Sequence, residues 1–582
     1  MTEPAAPEPN LGFDDSRRLT GPSRWFAGPA VTLTPRGAFA HDAAVHAAWA
    51  GRVRAVTQAL GWPDAAPRIH DHAVEPALLF AAPDDLLFTA TEISEWAWER
   101  SAAAAGERGF DLAQPTFSSA AEVAAHFAAR AAAEAKPALQ VLRAAAAARG
   151  LPLFEDDEAV SIGAGSGSRS WPRDALPAPD DIAWDALHDL PTALVTGSNG
   201  KTTTVRMLAA MAQAAGRVAG FCCTEGVFVG GQAVEHGDWS GPAGARAVLR
   251  HAGVHLAVLE TARGGLLRRG LAVRRADVAV VTNIQPDHLG EYGIDSAADL
   301  AEVKLAVAHA LGTPGTLVLN GGDGVLMAAA ARMPHAARAA QALFAADADH
   351  PALAAARARG ATTCGMREGR LWLQPGARPA HDLGASTDMP CTLGDAAPHN
   401  VQNAAAAALA AFALGLPAEA IRSTLARFGA DPLDNPGRLE RWAHRGATVL
   451  IDYAHNPDGL AQLLQVARAL RPARLGLLLG QAGNRDDAAI AALCRVAAAS
   501  TPARVAIKEL PQMLRGRQPG EVPALIERAL RDAGLPEERL FHEDDEAAAA
   551  LALLAWAQAG DVVVLPVHTA AVRERLRGVL AA

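Results

Sequence analysis

The sequence predicts an α/β protein in three parts: an N-terminal α+β domain, a central α/β domain on a parallel sheet, and a C-terminal Rossmann-like α/β domain. Three observations carry this. Between residues 192 and 320, the apolar runs TALVTG, HLAVLE, DVAVVTNI and GTLVLN alternate with helical stretches punctuated by Gly or Pro. Such alternation marks parallel strands joined by helical crossovers. A second series, ATVLIDYAHNP, LGLLLGQAG, RVAIKEL and DVVVLPVH, begins near residue 445. Ahead of both, residues 13–150 mix short apolar segments, such as Ala77-Leu78-Leu79-Phe80 and Leu86-Leu87-Phe88-Thr89, with alanine-rich helical stretches over 119–149 that end at Gly150.

The expected boundaries follow. Residues 1–162 form the N-terminal domain, within which 1–12 read as a tail. Residues 163–185 concentrate Gly, Ser, Pro and charge (GAGSGSRSWPRDALPAPDD over 163–181) and read as a linker. The central domain spans 186–428 and the C-terminal domain 429–582. Between the two strand series, about 325–400, lie helix and short strand segments, then a helix over 401–414.

Composition narrows the class of function. Half of the 582 residues are hydrophobic and 20% are charged, enough for several cores and incompatible with global disorder. The net charge of −10, with no basic block, argues against a nucleic-acid partner. The apolar excess is alanine interrupted by charged residues, so no stretch is suited to cross a bilayer and no membrane partner is expected. The opening MTEPAAPEPN lacks the basic start and apolar run of an export signal, which points to the cytoplasm. The five cysteines (222, 223, 364, 391, 494) contain no CxxC, against both a disulfide frame and a zinc cage.

The strongest motif is ALVTGSNGKTTTVRMLAAMAQAAG over 193–216. An apolar strand runs into Gly197-Ser198-Asn199-Gly200-Lys201-Thr202-Thr203, where a helix opens that closes at Gly216. Glycines let backbone N–H groups turn onto a phosphate, and the helix N-terminus adds positive potential. Lys201 would reach the β- and γ-phosphates and the Thr202 hydroxyl would join Mg²⁺. Val195 stands where the usual pattern has its first Gly, so this is a shortened variant. The central part is therefore expected to be a P-loop ATPase domain.

In such sheets ligands collect at the carboxyl ends of strands. Glu260 ends HLAVLE and begins ETARGGLLRRG, which adds Arg263, Arg268 and Arg269; Asn283, Asp287 and His288 follow DVAVV in TNIQPDHLG. A carboxylate and an imidazole beside a triphosphate suit magnesium with several waters retained. In SAADLAEVKLAVAHAL, helical spacing aligns Leu300, Val303, Lys304, Val307 and Leu311 on one apolar face, where a lysine must snorkel or serve chemistry. His399-Asn400-Val401-Gln402-Asn403 precedes an alanine helix, which leaves ordinary Asn capping open as an explanation. Asp434-Asn435-Pro436-Gly437-Arg438 and Asp452-Tyr453-Ala454-His455-Asn456-Pro457-Asp458 flank the first C-terminal strands.

In order, GSNGKTT, ETARGG, TNIQPDHLG, the lysine of AEVK, HNVQN, PGRLE and DYAHNPDG resemble the Mur ligase superfamily over residues 186–582. GVFVGG (226–231), GDWSGPAGARAVL (237–249), ETARGGLLRRGLA (260–272) and LRGRQPGE (514–521) are most similar to the Mur-ligase-like half of cyanophycin synthetases. RRLTGPSRWF (17–26) is similar to the start of their N-terminal domain.

The resemblance implies an ADP-forming acid–amino-acid ligase using ATP and Mg²⁺, two ions being the expectation. It implies catalytic roles for Lys201, Glu260, His288 and Lys304. The metal set would be Thr202, Glu260, His288 and Lys304, the last carbamylated. The nucleotide set would be Gly197, Asn199, Gly200, Lys201, Thr202, Thr203, Asn283, Asn400, Asn403, Arg438, Asp452 and His455, with the two helix asparagines near the adenine. Cyanophycin synthetases carry an ATP-grasp module between their N-terminal and Mur-like parts. Here only about 40 residues (150–190) stand there, so one bond-forming site is expected. The substrates implied are a basic amino acid and an aspartate side chain of a peptide or polymer, with a separate elongating synthetase as a partner. KELPQMLRGR (508–517) departs from the pattern by lacking an acidic run before RGR. A peptidoglycan- or folate-type ligase and a non-ligating ATP-binding accessory subunit are the alternatives. The sequence leaves homo-oligomer formation open.

Overall fold

A computed structural model of the chain describes residues 12–62, 65–72, 75–107, 115–287, 289–543 and 545–581. The expected tail, apart from Gly12, lies outside the described residues, and so does His288.

The N-terminal part is an antiparallel four-stranded sheet covered by helices. Strand Phe13–Leu19 forms one edge, beside Ala30–Pro35, Ala77–Ala81 and Arg68–His70 in that order. Helices Ala43–Ala59 and Leu87–Ala105 close a core around Trp49, Trp98, Phe80 and Phe127. The alanine-rich stretch is two helices, Ala120–Glu134 and Pro137–Ala147, because Pro137 has no N–H to donate and holds Lys136 out of the helical region.

Residues 163–185 are not a loose linker. Strand Arg169–Pro172 completes a three-stranded sheet with Leu153–Glu155 and Ala159–Ile162, and the glycines lie in tight packing. A Cβ at Gly165 would sit 2.0 Å from Leu190 Cδ2 and 2.3 Å from the Val254 carbonyl oxygen. Glycine here allows close approach, a second meaning of the composition that read as a linker.

The central sheet has eleven strands. Seven are parallel, in the order Ala219–Cys223, Leu256–Glu260, Thr192–Thr196, Ala276–Val281, Leu311–Asn320, Ala340–Asp347 and Thr362–Arg367, and an antiparallel hairpin extends each edge. Parallel strands are covered on both faces, which is why these runs are apolar throughout instead of alternating. Ala193 and Val195 face the core under helices Lys201–Ala214 and Pro398–Ala413, while Leu194 faces the opposite core. The second helix is an alanine run, buried from Ala404 to Ala408, and small side chains let it lie close on the sheet. The helix bearing Lys304 runs Ala297–Leu305 and then tightens to a 3₁₀ turn, Ala306–Ala310. Leu311 therefore opens a strand and does not extend the helical face.

The C-terminal sheet has six strands, all parallel except the edge strand Glu440–His444: Ala447–Asp452, Val562–Pro566, Leu475–Leu479, Arg504–Lys508 and Leu540–Glu543 follow in order. Among the described residues no helix is long and apolar enough to cross a membrane. All five cysteines are free and buried.

Candidate nucleotide and acceptor site

The strand Thr192–Thr196 lies between Leu256–Glu260 and Ala276–Val281, so its loop emerges in the crevice where the chain turns both ways from one strand. Two glycines shape that loop. Gly197 has φ +148 and a Cβ there would stand 1.8 Å from Thr282 Oγ1; Gly200 has φ +81 and its Cβ would stand 2.1 Å from Asn403 Oδ1. Lys201 Nζ donates to the Gly197 and Ser198 carbonyls at 3.1 and 3.0 Å. Asn283 Oδ1 accepts from Asn199 N at 3.0 Å, while its amide and the Thr282 hydroxyl donate to the Asn199 carbonyl. The loop is thus held by Thr282, Asn283 and Lys201, with the Ser198 and Asn199 N–H groups both bonded to Asn283.

Glu260 is 2% exposed at the end of its strand. Its carboxylate accepts from the Thr202 hydroxyl at 2.8 Å and the Thr224 hydroxyl at 3.1 Å. Two hydroxyls and a carboxylate are hard oxygen donors, a set that fits magnesium completed by waters and phosphate. Among the described residues, no group of three His, Cys, Asp or Glu side chains gathers into a metal cage.

Lys304 is 3% exposed, and its Nζ donates to the Gly197 carbonyl at 2.9 Å. Two lysine amines, Lys201 and Lys304, therefore share one carbonyl oxygen. Burial, and after it the Lys201 charge, pushes the Lys304 amine well below the ordinary lysine range. A snorkelling lysine would reach solvent; this one ends inside, beside the phosphate loop.

The C-terminal domain reaches this loop directly. Asn199 Nδ2 donates to Asp458 Oδ2 at 2.8 Å, Asn456 Nδ2 donates to Asn199 Oδ1 at 3.1 Å, and Asn435 Nδ2 donates to Thr203 Oγ1 at 3.0 Å. Arg438 lies over the Tyr453 ring at 4.6 Å, and its guanidinium approaches the Thr202 hydroxyl at 3.4 Å. Both Asp452 oxygens accept backbone N–H groups, from Leu439 and Ala454, each at 2.7 Å. Asp452 thereby joins the turn carrying Arg438 to the loop carrying His455, and burial raises its pKa above the usual carboxylate value. His455 stands 3.4 Å from Asp287, which also pairs with Arg485 at 2.8 Å.

On the alanine helix, Asn400 donates to the Cys391 carbonyl and accepts from Asn403. Neither caps the helix, whose N-cap is Ala397 with no side-chain bond. Next to them His399 is pushed down to about 4 by burial, and so is neutral at physiological pH. The partners Asn435, Asn456, Asp458 and Thr224 were absent from the predicted site. The first three lie inside the quoted DNPGR and DYAHNPD motifs, so the motifs marked the segments without marking the residues.

Two cavities meet here. One, of about 960 Å³, runs from the phosphate loop past Glu260, Asn283 and Arg438 to His399, Asn400 and Asn403. The other, of about 1270 Å³, lies among all three domains and is lined by Arg17 and Arg18 of the N-terminal edge strand, Arg263, Arg268 and Arg269, Lys304, and Arg485 of the C-terminal domain. Ser198, Lys201, Tyr453 and His455 border both.

Residues 195–411 match the Mur ligase middle domain, and residues 437–566 match the Mur ligase glutamate ligase domain. A UDP-N-acetylmuramyl-tripeptide synthetase of Leifsonia xyli is 30% identical over 376 residues, 64% of this chain and 69% of that protein. The chain belongs to the Mur ligase family. Members of the Mur ligase family are ATP-dependent, ADP-forming acid–amino-acid ligases. Cyanophycin synthetases of Synechocystis and Geminocystis herdmanii are 35% and 34% identical to this Mur ligase family chain, over 65% and 62% of it. The chain spans about two fifths of their length, 42% and 41%. A Mycobacterium tuberculosis folylpolyglutamate synthase complexed with ADP is 20% identical with a TM-score of 0.48, covering 68% of this chain and 91% of that one.

Proposed function

We propose that the chain activates a side-chain carboxylate of an aspartate-containing peptide or polymer as an acyl phosphate and couples it to a basic amino acid such as arginine. The observation that carries this reading is the meeting of the two cavities at Lys201. A nucleotide in one presents its terminal phosphate to a carboxylate held in the other. Lys201 and Arg438 would neutralise charge on the transferring phosphoryl group, and Thr202 and Glu260 would hold magnesium. Asn400 and Asn403 would face the base end. Asp238 borders the acceptor cavity, and its carboxylate accepts only from Ser240 among the described residues, which leaves it to meet a cationic side chain or amine. Closure of the C-terminal domain through Asn456 and Asp458 would keep the acyl phosphate from water.

Lys304 supports the same chemistry. A buried amine held neutral adds to CO₂, forming an N–C bond and releasing a proton, and becomes an anion able to join the metal set. His288 would complete that set. Residues 150–190 hold a small sheet and 3₁₀ turns, so one ATP-driven site is available for one bond. The protein would then decorate a premade acceptor, working beside a separate elongating enzyme. Five reduced, buried cysteines suit the cytoplasm.

The test is phosphate release from Mg-ATP against a panel of amino acids, with and without a short polyaspartate primer. Release that needs both primer and a basic amino acid is the expected result. Polymer growth from free aspartate and arginine would overturn the reading, as would ligation only to a nucleotide-sugar or folate acceptor.

A further inference from the structure

The acceptor cavity is lined by more cationic than acidic side chains, and its carboxylates Asp14, Asp15, Glu75, Asp238, Asp287 and Glu291 leave part of that positive charge unpaired, Arg17 being held by Asp15 at 2.5 Å. Arg263 and Arg485 are each engaged, with Glu291 and Asp287 respectively. Arg18, Arg268, Arg269 and Arg515 line the same cavity and form no ion pair with a carboxylate among the described residues. Arg18 lies over the Phe88 ring at 3.8 Å, a stack that engages the face of the guanidinium and not its N–H donors. Burial, and after it the neighbouring Arg269, holds the Arg18 guanidinium below its ordinary range, with Glu134 and Glu95 near enough to act the other way, so two arginines stand together across a domain boundary.

The boundary itself is built. Thr20 N donates to the Arg269 carbonyl and Leu271 N to the Pro22 carbonyl, each at 2.8 Å. The Arg17 guanidinium donates to the Leu267 carbonyl at 2.9 Å. Gly21 and Gly270 face one another where a Cβ on Gly21 would stand 2.0 Å from the Leu271 carbonyl oxygen. The edge strand is thereby fixed backbone to backbone against the end of helix Arg263–Arg269.

We propose that this seam between the N-terminal edge strand and the helix Arg263–Arg269 binds an acceptor that is itself a polyacidic peptide, holding carboxylates beyond the one that reacts. The geometry favours an extended ligand. Arg17 is held by Asp15 and the Leu267 carbonyl, which leaves Arg18 on the edge strand; Arg268 and Arg269 are consecutive on a helix and diverge. Such a set cannot converge on one compact anion, but it can meet charges spaced along a chain. The peptide is preferred over a phosphate polymer because the seam leads to Lys201, where a carboxylate has to arrive. This rests on the acceptor reading above and gives the N-terminal domain a place in substrate binding.

The experiment compares an aspartyl dipeptide with a ten-residue polyaspartate as acceptors, in the wild type and in Arg18→Gln/Arg269→Gln. The wild type should show a KM for the long acceptor at least tenfold below that for the dipeptide, weakening with salt. The double variant should raise the long-acceptor KM on the order of tenfold or more, at one charge-assisted contact per guanidinium, while kcat stays within about twofold. ADP binding by calorimetry reports that the variant is folded. Equal KM values for both acceptors in the wild type would overturn the proposal, as would an indifferent variant. Stronger competition by polyphosphate or oligothymidylate than by polyaspartate would also overturn it, leaving a general anion patch. If no aspartyl acceptor of any length is ligated, the proposed function itself fails; ligation without length dependence defeats only the seam.

Discussion

The two cavities that meet at Lys201 are built on opposite principles. The nucleotide cavity is prearranged by groups already fixed within the protein: glycines in conformations closed to other residues, asparagine amides bonded to one another, and a carboxylate already held by two hydroxyls. Its ligand is the same in every turnover, so each polar group can be fixed in advance. The acceptor cavity holds arginines, Arg18, Arg268, Arg269 and Arg515, that form no ion pair with a carboxylate among the described residues. Rigid framing gives geometric selectivity, while unpaired charge selects by sign and tolerates variation in length. A lesion should therefore be steep and local in the first cavity and graded in the second.

Lys201→Ala should give the largest loss. Removing a cation aimed at developing charge costs on the order of 10²–10³ in rate for a single donor, and more where it also orients the phosphates. Mg-ATP-dependent phosphate release measures it, and circular dichroism should be unchanged because the residue sits at a loop mouth. Near-wild-type release in a folded variant would remove the nucleotide cavity from the chemistry.

Gly200→Ala sharpens the geometric half of the contrast. The residue would be held at φ +81 with its Cβ 2.1 Å from Asn403 Oδ1. Left-handed backbone alone costs about 1–2 kcal/mol, so ADP affinity should fall roughly tenfold to a hundredfold by calorimetry. Adding Asn403→Ala removes the collision and should restore part of that loss. Additive effects of the two substitutions would contradict the contact.

Lys304→Ala should impair ligation by about tenfold to a hundredfold, with partial recovery in formate or acetate, whose carboxylate can stand where a carbamate would. Labelled bicarbonate should give a carbamate resonance in the wild type that is missing from Lys304→Met. Full activity with an unmodified amine paired to a carboxylate would refute the modified lysine.

The smallest effect concerns pH. His399 is held neutral by burial, down to about 4, and His309 behaves likewise. With folded values below the ordinary 6.5, the unfolded chain binds the proton more tightly between those limits. Stability should be complete above about pH 6.5 and decline as pH falls toward 4, by at most about 3 kcal/mol for His399 at 1.36 kcal/mol per pH unit and by less for the more exposed His309. Denaturant midpoints across this window measure the slope, which His399→Gln should reduce. An unchanged slope would place the responsible histidine elsewhere.

The strands of both parallel sheets were legible because burial on both faces leaves only continuous apolar runs, and the Lys201 helix because glycine and threonine mark its start. Lys304 stood out as a charge at a helical core position. What the sequence hid depends on placement across the chain. Nothing local marks Asn199 as the partner of Asp458, or Thr203 as that of Asn435, since those bonds exist only once two domains meet. The alanine-rich helical stretches over 119–149 were legible as helix, and Pro137 divides them. Leu311 fitted helical spacing until the 3₁₀ turn at Ala306–Ala310 broke the period. Arg17 and Arg18 were visible in RRLTGPSRWF, yet gained a role only beside Arg268 and Arg269.

The close-packed glycines at 163–167 carry a consequence for reading variation in this protein. Gly163, at φ +79, has the Gly167 carbonyl oxygen 2.1 Å from where a Cβ would be, and Gly167 is pressed against His188. Both would reject alanine as firmly as Gly200 does, although neither borders the nucleotide or acceptor cavity. A saturation scan scored on growth would show intolerance both at the phosphate loop and here. Only abundance measurements would part them: Gly200 variants should accumulate as inactive protein, whereas Gly163 and Gly167 variants should be cleared by the cell's proteases.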